Sequence, residues 1–253
     1  MFPLDRQIFL LVNDLVGRSE TVFEIVLLFC GSLPLAACVA VMLALWWTNA
    51  EGGRRGGALA LDLGQTGPAE GLRVSRRRCV ALAIGVALAF VCTRLIAFTG
   101  DFERPLGSEA LRVPIEPDRW NGLVDVMTGY GAFPSDQAAL FFAVAVALFA
   151  WSRRAGVWGL IVASSLSIGR IAVGFHYPSD VVVGGMIGAV FGGGSLVLAR
   201  RSPEFFDLLS ELFDDHPTVM YPALFVMALD FTQHFRLVFR AVFYLVLTLF
   251  TDA

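Results

Sequence analysis

His176 and Asp180 stand four residues apart, and Arg170 precedes the histidine by six. An imidazole is one of the few side chains that can accept a phosphoryl group covalently, and a carboxylate one helical turn away is placed to orient the ring. Arginine forks match the oxygens of a phosphate two at a time, and Arg104 and Arg170 supply two such forks. Ser135 follows Pro134 at the start of an apolar stretch, with Asp136 and Gln137 after it. A hydroxyl there, with the free N–H groups of a helix start, makes an anion cradle. Arg94 lies a few residues upstream of Arg104, at the end of another apolar stretch. Each residue also has a plain structural use: Ser135, Asp136 and Asp180 as helix caps, the arginines as partners of acids or as snorkelling cations. Their joint occurrence at the ends of four apolar segments points instead to phosphate handling, because ionisable groups at membrane depth are costly enough that function is the default reading.

The elements that must position these residues are membrane spans. The chain has 253 residues, 57% hydrophobic and only 16% charged, against roughly a quarter charged in a soluble domain. Its mean hydropathy of +0.70 points the same way. A bilayer core needs about 20 apolar residues in a helix, and five stretches approach that length: 22–47, 79–98, 133–151, 157–173 and 181–199. The first carries Gly31 and Pro34 near its middle and is expected to tilt or kink. Residues 4–16 mix apolar residues with Asp5, Arg6, Asn13 and Asp14, the pattern of an interfacial helix. After Arg200 and Arg201, 204–215 is amphipathic and acidic, while 235–250 is apolar but interrupted by Arg236 and Arg240. The expected fold is an all-α polytopic bundle of five or six spans. Residues 1–202 form the membrane-embedded domain and 203–253 an amphipathic, membrane-associated tail.

Basic residues near span ends stay in the cytoplasm. There is no lysine in the chain, so arginine alone carries this signal. Segment 48–78, Gly-rich between 51 and 71, holds six arginines; Arg153 and Arg154 follow the third span, and Arg200 and Arg201 end the fifth. These places are expected to face the cytoplasm, which puts 99–132, 174–180 and the site residues outside. A net charge of −3 with no basic tail excludes nucleic-acid binding. Cys30, Cys38, Cys79 and Cys92 lie in or beside apolar runs without a CxxC pair, so they read as small core residues, neither a metal site nor a disulfide framework. The start of the chain lacks the pattern of a removable signal.

Arg104 with Pro105, then Pro134 with Ser135, then the stretch from Gly169 through the His-Tyr-Pro-Ser-Asp run ending at Asp180, resemble the three signature blocks of the type 2 phosphatidic acid phosphatase superfamily. The likeness covers roughly 94–199 and is greatest to the bacterial undecaprenyl-diphosphate phosphatase branch. It implies a metal-independent and cofactor-free integral membrane hydrolase of the bacterial plasma membrane. Its partners would be a lipid phosphate or diphosphate substrate and the surrounding lipids. By matched position, His176 is the nucleophile, Asp180 its partner, and Arg104, Ser135 and Arg170 the phosphate ligands, with Asp136 beside them. The resemblance departs from the pattern in three places. Ala97 takes the place of a lysine, unless Arg94 one turn earlier substitutes, and Gly169 takes the place of a serine. Gln137 takes the place of the histidine expected to protonate the leaving group. An active polyprenyl-diphosphate phosphatase is the leading expectation. A phosphatidate or phosphatidylglycerophosphate phosphatase, a lipid phosphotransferase, and a degenerate lipid-phosphate binder are the alternatives.

Overall fold

The computed structural model describes residues 3–47, 68–100, 103–108, 111–128 and 131–232. Segment 48–67 of the Gly-rich loop and the apolar stretch 235–250, on which a sixth crossing would rest, lie outside the described residues. The described chain is helical: α1 (Pro3–Val16), α2 (Glu20–Cys30), α3 (Leu33–Trp46), α4 (Pro68–Phe98), α5 (Pro105–Ser108), α6 (Pro117–Thr128), α7 (Asp136–Leu148), α8 (Arg153–Ala172), α9 (Pro178–Arg201), α10 (Pro203–Asp215) and α11 (Pro217–Thr232). The helix starts are written in the sequence. Ser19, Ser135 and Ser152 cap α2, α7 and α8 by accepting from the backbone N–H three residues on, and proline opens α5, α6, α9, α10 and α11, where its missing N–H costs nothing.

Among the described residues, Glu70–Phe98, α8 and α9 are long and apolar enough to cross a bilayer, and α2 with α3 makes a fourth such unit, bent by 46°. The bend falls between Gly31 and Pro34, as expected of the first stretch. The third stretch is shorter than its apolar run: α7 has 13 residues, about 20 Å at 1.5 Å per residue. It is also the centre of the bundle. From Asp136 to Ala147 nearly every side chain is buried, half of them alanines. Close approach is possible because α9 presents Gly184, Gly188 and Gly192 at four-residue spacing. A Cβ on these would lie 2.2, 2.0 and 2.6 Å from the carbonyl oxygens of Ser135, Ala139 and Ala143. Small residues in such a row let helix backbones touch within a membrane, where van der Waals packing replaces the hydrophobic drive. The outer faces of α8 and α9 expose Trp158, Ile161, Val162, Met186 and Val190, a surface suited to lipid.

The arginines of 73–78 lie at the end of the bundle away from His176. Arg77 at the start of α4 grips Asp207 of α10 (Nε to Oδ1, 2.7 Å), Arg76 grips Asp214 (2.7 and 2.8 Å), and Arg78 donates to the Ala150 carbonyl at the end of α7 (2.7 Å). The acidic face of α10 is thus matched to the basic start of α4, while Phe205 and Leu208 remain exposed. Three helices were not foreseen: α5 and α6 in the loop between the second and third stretches, and α11 after the amphipathic tail helix.

Candidate functional site

His176 lies in the short turn between α8 and α9. The C-terminus of α8 closes through bonds from Val173 N to the Gly169 carbonyl (3.1 Å) and from Phe175 N to the Arg170 carbonyl (3.0 Å). Gly174 takes φ +82° there, a conformation that favours glycine. The imidazole is 1% exposed. Its Nδ1 lies 2.8 Å from the carbonyl oxygen of Ala132, which can only accept, so Nδ1 carries the proton and donates. The lone pair is then on Nε2, which accepts from Arg170 Nη2 (3.0 Å) and faces Arg104 Nη1 (3.4 Å). Guanidinium groups only donate, so both sides of the ring require the same tautomer. Burial, then Arg104 and Arg170, holds the pKa of His176 well below the ordinary 6.5. The ring is therefore neutral at physiological pH.

Asp180 was expected to hold the ring. Its carboxylate Oδ2 accepts from Tyr177 N (2.8 Å) and so caps the start of α9, while lying 3.6 Å from His176 Nδ1. That separation is beyond a hydrogen bond; the direct holder of Nδ1–H is the backbone of Ala132. Through that cap Asp180 fixes the start of α9 and so the turn that carries the ring.

Arg104 is buried just before α5 and donates to the carbonyls of Phe175 (2.8 Å) and Gly131 (3.3 Å). Burial first, and then Arg170, pushes its pKa down to about 10, still charged at neutral pH. Arg170, 3% exposed, donates from Nη1 to the carbonyl of Cys30 (3.0 Å) and to Oε1 of Gln137. Its Nε has no hydrogen-bond partner among the described residues. A buried guanidinium N–H without an acceptor is rare and costly. The Cys30 carbonyl is free to accept because α2 breaks at Gly31, leaving the last carbonyls of that helix without intrahelical partners.

Ser135 is fully buried as the N-cap of α7, where Oγ accepts from Ala138 N (3.4 Å) and the backbone N donates to the Asp180 carbonyl (3.0 Å). The cap uses an oxygen lone pair and leaves the hydroxyl hydrogen for an anion. Asp136 forms an ion pair with Arg94 and accepts from Gln137 N (2.7 Å). As a carboxylate it offers a phosphate only its backbone, and its charge answers that of Arg94. The structure thus brings all eight residues together: Arg94, Arg104, Ser135, Asp136, Gln137, Arg170, His176 and Asp180. His216, at the end of α10, belongs to the opposite end of the bundle. Thr93, Arg94, Ala97, Arg104, Gly131, Pro134, Asp136 and His176 line a cleft of about 10 Å³, room for about one water. A tetrahedral anion is larger than this cleft. Sequence reasoning missed the carbonyls of Ala132 and Cys30, which leave no mark in residue type, and the glycine row of α9, which four-residue spacing displays.

Comparison with known proteins covers part of this constellation. Residues 109–203 match the PAP2 superfamily. The resemblance read from the motifs is borne out over that segment, which holds Ser135, Gln137, Arg170, His176 and Asp180; Arg94 and Arg104 lie just before it. A bacterial protein, the Bacitracin transport permease protein BcrC of Bacillus licheniformis, is 37% identical over 59 residues, which are 23% of this chain and 29% of that protein. The chain thus spans less than a third of the length of that relative. No solved structure matches the chain.

Proposed function

We propose that this protein is a membrane lipid phosphatase in which His176 carries the phosphoryl group. The observation that carries the reading is the convergence of Arg104 and Arg170 on the Nε2 lone pair of a buried, neutral imidazole whose other nitrogen is fixed by Ala132. The PAP2 superfamily match supports the same chemistry. An incoming phosphate takes over the N–H groups of Arg104 and Arg170, including the unused Nε of Arg170, and the hydroxyl of Ser135. Nε2 then attacks phosphorus, the bond to the leaving oxygen breaks, and the ring becomes a phosphoimidazolium whose charge Asp180 offsets. Water attacks the same phosphorus in the second step, returning Nε2 as free base and releasing phosphate.

The substrate we assign is a polyprenyl diphosphate. An alkoxide leaving group is strongly basic, near the ~16 of bulk water, and needs an acid. A lipid phosphate leaving group has a pKa of about 6 and departs unprotonated. Gln137 stands at the place of the usual acid and cannot supply a proton, and its Oε1 is engaged by Arg170. That residue also motivates a second reading, a protein that binds lipid phosphate without turning it over. The arginine-rich ends of α4, α8 and α9 support a cytoplasmic placement for that face, and hence an external site.

Phosphate release by purified protein, measured on polyprenyl diphosphates beside phosphatidate and phosphatidylglycerophosphate, tests the proposal. Faster release from diphosphates is expected. A preference for phosphatidate over every diphosphate overturns the substrate assignment, and no release with retained binding favours the second reading.

A further inference from the structure

α1 presents two faces. Leu4, Leu11 and Leu15 are exposed, with Ile8 partly so, while Asp5, Phe9 and Asn13 are buried. The buried three are spaced by four residues and so line one face of the helix, spanning about 12 Å at 1.5 Å per residue. Each meets a different part of the His176 turn. Asn13 Nδ2 donates to the carbonyl of Ala172, the last residue of α8 (2.8 Å). Phe9 sets its ring edge-on to Tyr177, the residue after the histidine, with centroids 5.8 Å apart. Asp5 Oδ1 accepts from Ser179 N in the first turn of α9 (3.0 Å). One helix therefore satisfies an orphan carbonyl on one side of the turn and an orphan amide on the other, and braces the middle.

Asn13 has a second task. Its Oδ1 accepts from Arg112 N (2.9 Å), so the segment after α5 is tied to the same point. Gly17, one turn further on, packs so closely that a Cβ would lie 2.4 Å from the Arg112 carbonyl.

We propose that α1 is a strap that sets the position of the His176 turn, with Asp5 and Asn13 as positioning residues for the proposed phosphoryl transfer. The turn carries both the nucleophile and the Phe175 carbonyl that Arg104 holds, so a loosened turn misplaces Nε2 relative to an anion bound by Arg170 and Ser135. Misplacement of the nucleophile lowers kcat more than it raises KM, because ground-state binding by the helix-borne ligands survives. The exposed apolar stripe of α1 leaves it lying against lipid while its polar face grips the turn.

This inference rests on the phosphatase reading only for its effect on turnover, and the test separates the two. Amide hydrogen exchange of 173–180 is followed in the full-length wild-type protein and in Asp5→Ala, Asp5→Asn, Asn13→Ala and Asn13→Asp, with kcat and KM for phosphate release measured in parallel. Loss of one acceptor or donor is expected to raise exchange in the turn by roughly tenfold, and to lower kcat by a similar factor with KM changed less than about threefold. Asp5→Asn keeps an acceptor for Ser179 N and restores most of both. Asn13→Asp keeps the acceptor for Arg112 N but loses the donor to Ala172, and behaves like Asn13→Ala. Exchange in α7 is the folding control, and variants that raise it are set aside in favour of the Asp5 pair. Unchanged exchange in the turn overturns the strap, and faster exchange with unchanged kcat overturns the positioning role. A wild-type protein that releases no phosphate yet shows the exchange response refutes the phosphatase reading and leaves the strap standing.

Discussion

Adding one methyl group at Gly184 is expected to disable the site without touching any group that does chemistry. A Cβ there would lie 2.2 Å from the Ser135 carbonyl oxygen, 3.0 Å from its carbon and 3.2 Å from its nitrogen. Carbon and carbonyl oxygen meet without strain at about 3.3 Å, so the starts of α7 and α9 must part by about 1 Å. The neighbouring bond from Ser135 N to the Asp180 carbonyl, now 3.0 Å, cannot survive that displacement. Ser135 and His176 are carried by the two elements being separated, and a misplacement of about 1 Å costs on the order of 10²-fold in rate, or ~2.7 kcal/mol on the barrier. Overpacking should also lower stability by about 1–3 kcal/mol. The control is Gly194→Ala on the same helix, where a Cβ meets nothing within 4 Å, so it should retain wild-type turnover. Phosphate release from a lipid diphosphate by the two purified variants, with their thermal unfolding, measures both effects. A Gly184→Ala protein within twofold of wild type in kcat/KM refutes the argument that backbone contact sets the site's geometry.

His176→Ala should abolish turnover and covalent labelling by a radiolabelled lipid phosphate. Because the folded pKa of His176 lies well below 6.5, its free-base form persists below pH 6.5. The acid limb of kcat/KM should therefore appear only well under 6.5, and the unfolded state, which binds the proton first, should be favoured as pH falls below that value. Asp180→Asn should leave a weak remainder, since the amide oxygen still accepts from Tyr177 N while the charge behind the ring is lost; activity equal to wild type would argue against any electrostatic role. Gln137→His should raise monoester hydrolysis more than diphosphate hydrolysis, by a factor within the ~10²–10⁴ typical of a general acid, and equal effects on both substrates would sink the leaving-group argument. Labelling of a Ser108→Cys variant freed of native cysteines should occur only from outside the cell; labelling solely from the cytoplasm would invert the orientation.

The bundle was legible because hydropathy and span length are properties of contiguous residues. The bend at Gly31 and Pro34, the arginine-rich end and the amphipathic face of 204–215 could all be read in one pass along the chain. The signature residues were legible too, because guanidinium, imidazole and carboxylate groups at span ends are rare enough to stand out. What stayed hidden is held by backbone or by distance. Ala132 and Cys30 contribute carbonyls, which every residue has. Asp5 and Asn13 reach partners at 179 and 172 across most of the chain, so their polar character read as a mark of an interfacial helix. The role of Asp180 was shifted for the same reason: its spacing from His176 suggested a direct bond, whereas the start of α9 claims the carboxylate first. α7 looked like a full span because the apolar run begins before its cap and continues past its end.

The charges around His176 explain why such an arrangement suits an anion. Arg94 is matched by Asp136, but Arg104 and Arg170 both address one lone pair. Two unit charges about 4 Å apart repel by ~4 kcal/mol at an effective dielectric of 20. A protonated imidazole would add a third cation, so the same field that lowers the pKa of His176 keeps its nucleophile free of a proton. Carbonyls of Cys30, Phe175 and Gly131 disperse part of the guanidinium charge. A phosphate brings two negative charges and several acceptor oxygens to the point where the repulsion is greatest. In the proposed reaction it also replaces Nε2 as the acceptor of both arginines, and the lone pair they held is released toward phosphorus. In the proposed reaction anion binding and exposure of the nucleophile are therefore one event, and a neutral lipid headgroup, which cannot draw the arginines away, leaves His176 covered.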